Sequence, residues 1–399
     1  MTEDTNKSQH ILYLQNIEKH IHWSGLLNHI EKNNTNSIVL YLSKNNCRAD
    51  QSKILEYLDS FSIDSIVNFN VVSLCLEFNF LSKIKSNYDV KLIGIQNDVS
   101  EYFDSYYVYV SQFYDLVLLD DSSELQRYKN YGFNAEIFYH GVSKKYLVDP
   151  GTKRDIDISF VGRMDRPGRS ELLSSLSDKG FSVSVFGYGS KNGYIPSNKM
   201  MEIYGRSKIV LNLTSISINI PFFDPNRTIK NRLKQTKGRI YEGMVSGALV
   251  LTEPDFSLSI IGVNGEDFVV FNSPHELIHY VDYYLNNKNK RLLIARSGFE
   301  KVITHGTYES TANNLEALIE QTSKSKIGKI YVDKVYHKFI SRSIAHNYIN
   351  SLIHLNKPDI SCIYGKRVDF LIFGFFWALF YYPYNIISNK IKSILNKFR

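Results

Sequence analysis

Cysteine is nearly absent. Cys47, Cys75 and Cys362 are the three in 399 residues, too few and too widely spaced for a disulfide framework or a C-x-x-C metal or redox motif. The opening residues MTEDTNKSQH carry no apolar run of the signal-peptide kind, so a reducing cytoplasm is the expected compartment. Internal repeats and low-complexity tracts are also missing, which excludes solenoid and fibrous architectures. What remains is 43% hydrophobic and 22% charged residues, the composition of an ordered globular protein. The length exceeds the roughly 250–300 residues at which a single core stops growing, so two domains are expected.

A net charge of +7 suggests nucleic acid until it is divided along the chain. Residues 321–399 hold 13 Lys and Arg against 3 Asp and Glu, leaving 34 against 37 for residues 1–320. The body is close to neutral and the basic character belongs to the tail, so no nucleic-acid partner is expected. Within that tail, FLIFGFFWALFYYPY (Phe370–Tyr384) is 15 uncharged residues, nine of them aromatic. Lys366 and Arg367 flank it on one side, and Lys390, Lys392, Lys397 and Arg399 on the other. Pro383 and Asn385 make it short for a spanning helix. The expectation is a segment over 370–387 lying in the membrane interface, with residues 366–399 meeting the inner face of the cell membrane as a peripheral anchor. Packing of the same segment on the body or on a second subunit is the alternative. Residues 330–355 carry apolar positions at helical spacing and are expected to precede it as an amphipathic helix.

Along the body, short apolar runs alternate with helical patterns, as in parallel sheets with crossover helices. The predicted strands are Ile11–Leu14, Ile38–Leu42, Ile63–Asn68, Val90–Ile95, Leu116–Leu119 and Ala135–Tyr139, then Ile156–Gly162, Val183–Gly187, Ile209–Leu213, Ala248–Leu251 and Asp267–Phe271. Between the sets, VSKKYLVDPGTKRD (Val142–Asp155) has the composition of a linker. The expected organisation is α/β: two Rossmann-like doubly wound domains, residues 1–150 and 151–320, facing each other across a cleft, with a helical basic tail over 321–399.

Ligands of open α/β sheets bind outside the carboxyl ends of the strands. After DISFVG comes RMDRPGR, whose Arg163 and Arg169 can converge on phosphate oxygens at the start of the following helix; a solvated basic loop is the plain alternative. Between Pro225 and Tyr241 stand Arg227, Lys230, Arg232, Lys234, Lys237 and Arg239 with no acid among them, leading into RIYEGMVSG. Cations at a helix start oppose its dipole, a conflict that a bound diphosphate would resolve. Glu242 in that helix can accept hydrogen bonds from ribose hydroxyls or simply stabilise the first turn. Gly247 is placed to end it.

Five blocks, FVGRMDRPGRSELL, VFGYGSKNGYIPSNKMMEIYGRSKIVLNLT, KGRIYEGMVSGALVLTEP, GEDFVVFNSPHELIHYVDYYL and IARSGFEKVITHGTYES, resemble in order and spacing the carboxyl-terminal domain of CgeB-like glycosyltransferases. These stand among the group 1 transferases of the GT-B fold. The resemblance spans Asp155 to about Leu318. It implies a donor diphosphate held by Arg163 and Arg169, a donor ribose held by Glu242, and a nucleobase bordered by Gly187, Tyr188 and Gly189; Lys237 and Arg239, from the basic run before the Glu242 helix, are expected to meet the same diphosphate. It implies a nucleotide-sugar donor as substrate, neutralised by arginines and helix dipoles with no metal or other cofactor; a glycan or lipid-linked acceptor is expected from the basic, aromatic tail alone. The pattern departs from the group at Lys234, where a glutamate is expected eight residues before Glu242.

Three other motifs carry less. His275-Glu276-Leu277-Ile278-His279 spells H-E-x-x-H, yet Ser273-Pro274-His275-Glu276 is also a capping box with proline at the first helical position. Asp155-Ile156-Asp157 spells D-x-D but precedes its strand, at the wrong end of the sheet. Gly187, Gly189 and Gly193 miss the dinucleotide spacing by one residue. In the first domain, Asp98 after KLIGI is the carboxylate best placed to deprotonate or bind an acceptor hydroxyl, with His140 after AEIFY as second candidate. Asp120 and Asp121 after LVLL can instead cap the helix that follows. The rival functional readings are a GT-B nucleotide-sugar epimerase and a non-catalytic nucleotide-sugar-binding or assembly protein at the membrane.

Overall fold

A computed structural model describes residues 10–16, 21–42, 47–69, 71, 76–166, 168–215, 234–235, 237–326 and 331–332. The expected amphipathic helix, the aromatic segment and the basic residues Arg227, Lys230 and Arg232 lie outside them. Among the described residues no helix is long and apolar enough to cross a membrane.

Among the described residues eleven strands form two sheets, all of whose neighbours run parallel. The first contains β1 (His10–Asn16), β2 (Ser37–Leu42), β3 (Ile63–Phe69), β4 (Lys91–Gln96), β5 (Leu116–Leu119) and β6 (Ala135–Ile137), in the order β2-β1-β3-β4-β5-β6. The second contains β7 (Ile156–Val161), β8 (Val183–Phe186), β9 (Ser207–Asn212), β10 (Leu249–Thr252) and β11 (Val269–Val270), in the order β11-β10-β9-β7-β8. Central strands such as LVLL and SKIVLN are buried on both faces because helices cover each sheet on both sides. In each sheet the strand order reverses once, at β1/β3 and at β7/β9, opening a crevice beyond the carboxyl ends.

The chain crosses between the sheets twice, and the two crossings lie side by side. Val142 and Thr307 form a parallel bridge in which Val142 N–H donates to the Gly306 carbonyl (2.8 Å) and Tyr308 N–H to the Val142 carbonyl (2.9 Å). Gly141, at φ 67°, allows this contact, since a Cβ there would stand 2.5 Å from Thr311 Oγ1. Beyond the second crossing the Tyr308–Gln321 helix returns to the first sheet, burying Ala312, Leu315 and Ile319 with Trp23, Leu26, Leu27 and Ile30 of the Ile21–Asn33 helix. A helix that sequence order groups with the second unit therefore completes the core of the first.

The segment between the domains is fastened down. Half-buried Arg154 donates from Nη1 to the carbonyls of Tyr204, Gly205 and Ser207 and from Nη2 to that of Ser246 (2.9–3.3 Å), and desolvation lowers its pKa to about 10. Val148 N–H donates to the Val245 carbonyl at 3.2 Å. Gly247 ends the Arg239–Val245 helix at φ 65°, where a Cβ would sit 2.2 Å from the Val148 carbonyl oxygen. Gly247→Ala is expected to cost at least about 1–2 kcal/mol from the left-handed conformation alone, with the clash added. Urea unfolding checks this, and an unchanged midpoint would show that the linker does not depend on this turn.

Candidate active site

The β7/β9 crevice is filled by two guanidinium groups. Arg169 opens the Arg169–Asp178 helix and is 3% exposed. Its Nε donates to Ser215 Oγ (3.2 Å), Nη1 to the Arg163 carbonyl (2.7 Å), and Nη2 to the carbonyls of Leu213 (3.0 Å) and Ser215 (2.9 Å). Arg239 donates from Nη1 to Asn212 Oδ1 (3.3 Å) and the Leu213 carbonyl (3.1 Å). Both lie over the Phe160 ring, 5.4 and 5.0 Å from its centroid. These carbonyls lie at and beyond the end of β9 and need donors from outside the sheet. Gly162 makes room for the pair, since a Cβ there would stand 3.0 Å from Arg239 Nη2 and 3.4 Å from Arg169 Nη1.

Charge at this point is not balanced. Burial pulls the Arg169 guanidinium down to about 9, and the neighbouring Arg239 and Arg166 charges add to the effect. Among the described residues neither Arg169 nor Arg239 is ion-paired with a carboxylate. Glu253, the acid that acts most strongly on Arg169, lies 3.6 Å from Lys234 Nζ and accepts Thr214 N–H. Two partly desolvated cations beside one another favour an anion at their side.

Arg163 takes a different course from the one its spacing suggests. Its guanidinium turns outward, binding Asp165 through two hydrogen bonds (3.0 and 2.5 Å) and covering the exposed Tyr188 ring at 4.8 Å. It does not converge with Arg169, because Asp165, two residues on, is nearer than the crevice. Arg239 stands beside Arg169 in its place. Gly187, at φ 115°, would drive a Cβ to 2.2 Å from the Gly162 carbonyl oxygen, and Gly189 lies against Met164. The glycines thus lock the Tyr188 loop onto the loop after β7, reinforced by Met164 N–H donating to the Tyr188 carbonyl (2.8 Å).

Two cavities lie between the domains and share one wall, His140. The larger, about 450 Å³, takes Glu242 and Ser197 from the second domain and Asn28, His29 and Lys32 from the first. The smaller, about 220 Å³, brings together Asp98, Asp120, Trp23, Gln235, Lys237 and Tyr241. His140 packs its ring against Trp23 and approaches Gly238 so closely that a Cβ there would stand 2.7 Å from its Cε1. Asp98 and His140, separate in sequence, therefore face one cavity together with Lys237. Gln235 was not read from sequence as a site residue, and the half-buried Asp120 only as a strand-end acid that could equally cap the next helix. The placement of Asp120 at the end of β5 was the available signal, whereas Gln235, inside a basic run, offered none.

The weaker motifs resolve structurally. Ser273 Oγ accepts Glu276 N–H (3.2 Å) and Glu276 reaches back to Asn272 N–H (2.8 Å), so the H-E-x-x-H residues start a helix. Asp155 and Asp157 pair with Arg206 and Lys208 at the amino ends of β7 and β9. Asp121 caps the Ser122–Glu124 turn through Ser123 N–H (2.7 Å). Among the described residues no group of three or more His, Cys, Asp or Glu is disposed to hold a metal.

Glu242 has no hydrogen-bond partner for its carboxylate among the described residues. Burial pushes its pKa from 4.5 up to about 7, with Arg239 pulling the other way. The folded value is the higher one, so this group's stabilisation is full below about pH 4.5 and is lost as pH rises through 7. Glu242→Gln is therefore expected to gain about 2–3 kcal/mol on the wild type between pH 4.5 and 8. Urea unfolding at a series of pH values measures it, and parallel stability curves would contradict the burial of this carboxylate.

Residues 166–317 match the model of a family described as glycosyl transferase-like. No curated protein matches the chain. Among solved structures, HepE from Anabaena in complex with UDP and glucose superposes with a TM-score of 0.59 at 11% identity, over 78% of this chain and 100% of that one. Sucrose-phosphate synthase from Thermosynechococcus elongatus gives 0.55 at 12% identity over 78% and 98%. A glycosyltransferase from Rickettsia africae gives 0.54 at 14% identity over 79% and 99%. Residues 166–317 are thus a glycosyl transferase-like region, set in a chain with the GT-B fold of the glycosyltransferases.

Proposed function

We propose that this protein is a nucleotide-sugar-dependent glycosyltransferase, and the observation that carries the reading is the pair of buried Arg169 and half-buried Arg239, without a carboxylate partner among the described residues, next to the Glu242 carboxylate, which has no hydrogen-bond partner among them. A nucleoside diphosphate supplies what that arrangement wants: a diphosphate for the guanidiniums and ribose hydroxyls for Glu242. Lys237 would meet the same diphosphate from the smaller cavity. The Gly187–Gly189 loop would border the base, with the Tyr188 ring as its flat surface. UDP is the first nucleotide to try, because HepE was solved with UDP and UDP-glucose.

In the reaction, the bond between the anomeric carbon of the sugar and the diphosphate oxygen breaks, and the nucleoside diphosphate leaves with the bonding pair. The acceptor oxygen bonds to that carbon, and its proton passes to Asp98. His140, between the two cavities, stands where nucleotide and transferred sugar would join. The acceptor is a glycan or a lipid-linked intermediate of the kind used in polysaccharide assembly, met at the cytoplasmic face of the membrane. The basic, aromatic tail in the sequence supports that part of the reading, and the CgeB-like subgroup rests on the sequence blocks.

Thermal unfolding with UDP, GDP, CDP, ADP and TDP tests the donor site. A ligand at 100 times its Kd adds about 2.7 kcal/mol; one nucleotide is expected to do so for the wild type and to lose the effect in Arg239→Met and Glu242→Ala. No shift with any of them would count against a donor site. Asp98→Asn is expected to lower turnover by about two orders of magnitude or more while leaving nucleotide affinity unchanged, and near-normal turnover would remove Asp98 from the reaction. Deleting residues 368–399 is expected to move the protein from membrane to soluble fractions, and an unchanged membrane fraction would refute the anchor.

A further inference from the structure

We infer that Gln235 is the positioning residue that aims the Asp98 carboxylate from the opposite domain, through a hydrogen-bonded chain running from Lys237 to Gln235 to Asp98. This deepens the reading above and rests on Asp98 being the carboxylate that meets the acceptor.

Gln235 is 1% exposed, and its backbone N–H donates to the Thr214 carbonyl (2.9 Å) just past β9, so it belongs to the second domain. Among the described residues its side chain has two polar contacts. Oε1 accepts from Lys237 Nζ at 2.5 Å, and Nε2 donates to Asp98 Oδ1 at 3.0 Å. An ammonium can only donate, so the amide end facing Lys237 must be the oxygen. The other end is then the N–H₂, which a carboxylate accepts. The two charged neighbours thus fix the orientation of the amide, which geometry alone seldom does.

Asp98 is held in an unusual way on its own side. At φ 51° and ψ 43° it is the one non-glycine among the described residues with positive φ, a conformation that costs about 1–2 kcal/mol and persists only when surroundings impose it. Its N–H donates to Asp120 Oδ2 (2.9 Å), and the Asn97 carbonyl before it accepts from Tyr107 OH (2.7 Å). The backbone is thereby fixed by the first domain and one carboxylate oxygen by the second. The other oxygen has no partner among the described residues and is left for a hydroxyl in the 220 Å³ cavity.

The inference explains why an amide stands at position 235. Asp98 lies beside Asp120, His140, Lys237 and Tyr107. A carboxylate at 235 would repel it, and an apolar group would leave both Lys237 and Asp98 without their partner. The glutamine also makes aim conditional on domain placement, because the contact joins residues 137 apart in sequence and on different sheets.

Two variants and one spectrum test it in the full chain. Gln235→Glu keeps the volume and the Lys237 bond but removes the N–H donor; Gln235→Leu removes both. With UDP-glucose as the probe and UDP release as the readout, both are expected to lose at least about ten-fold in kcat with KM changed less than about three-fold. A packing role would leave Gln235→Glu close to wild type, so a kcat within two-fold overturns the inference. Selective 15N-glutamine labelling gives an arm that needs no turnover. The Gln235 side-chain amide signal, assigned by its loss in Gln235→Glu, is expected to move in Asp98→Asn, and a signal indifferent to Asp98→Asn also overturns the inference. Failure of the donor reading looks different: the wild type itself would neither gain stability from UDP nor release UDP from UDP-glucose, and the amide signal would still decide the Gln235–Asp98 contact.

Discussion

The arrangement rests on two guanidinium groups held at the end of a parallel sheet with no carboxylate partner among the described residues. Arg169 and Arg239 satisfy the carbonyls of Leu213 and Ser215 and the side chain of Asn212, so they terminate β9 and set the path of the chain beyond it. Their ring contact with Phe160 ties the same two charges to β7. The hydrogen bonds fold the loops, but they leave most of the positive charge uncompensated. Under the proposed function, the diphosphate of a nucleotide supplies the charge that these hydrogen bonds leave unanswered.

The first domain answers across the cleft with carboxylates. Asp98 and Asp120 lie at the ends of β4 and β5, and burial together with the Asp98 charge raises the Asp120 pKa well above the usual range. Cations from one sheet and carboxylates from the other meet around His140, whose close contact with Gly238 needs the domains to be well registered. That register comes from the paired crossings at Val142 and Thr307 and from the Tyr308–Gln321 helix, which buries its apolar face in the first domain.

Much of this was legible in the sequence, and the reason is the period of the burial pattern. All eleven strands appear where short apolar runs predicted them, because a strand covered on both faces leaves an unbroken apolar signature. Gly247 and the Ser273–Glu276 cap follow from local backbone chemistry alone. What the sequence concealed is three-dimensional in origin. Arg163 and Arg169 are six residues apart, yet Asp165 captures the first while the strand-end carbonyls capture the second. Gln235 gives no sign of itself, since its importance arises only from a contact with a residue 137 positions away. The return of the last described helix to the first sheet was equally hidden, because its apolar stripe states that a face is buried without naming the partner.

The measurement that tests the central claim most directly is a crystal structure of the full chain with UDP. The account predicts the diphosphate within hydrogen-bond reach of Arg169, Arg239 or both, and the ribose hydroxyls on Glu242. UDP bound away from the β7/β9 crevice, or both guanidiniums remaining without an anion while the nucleotide sits elsewhere in the cleft, would contradict it.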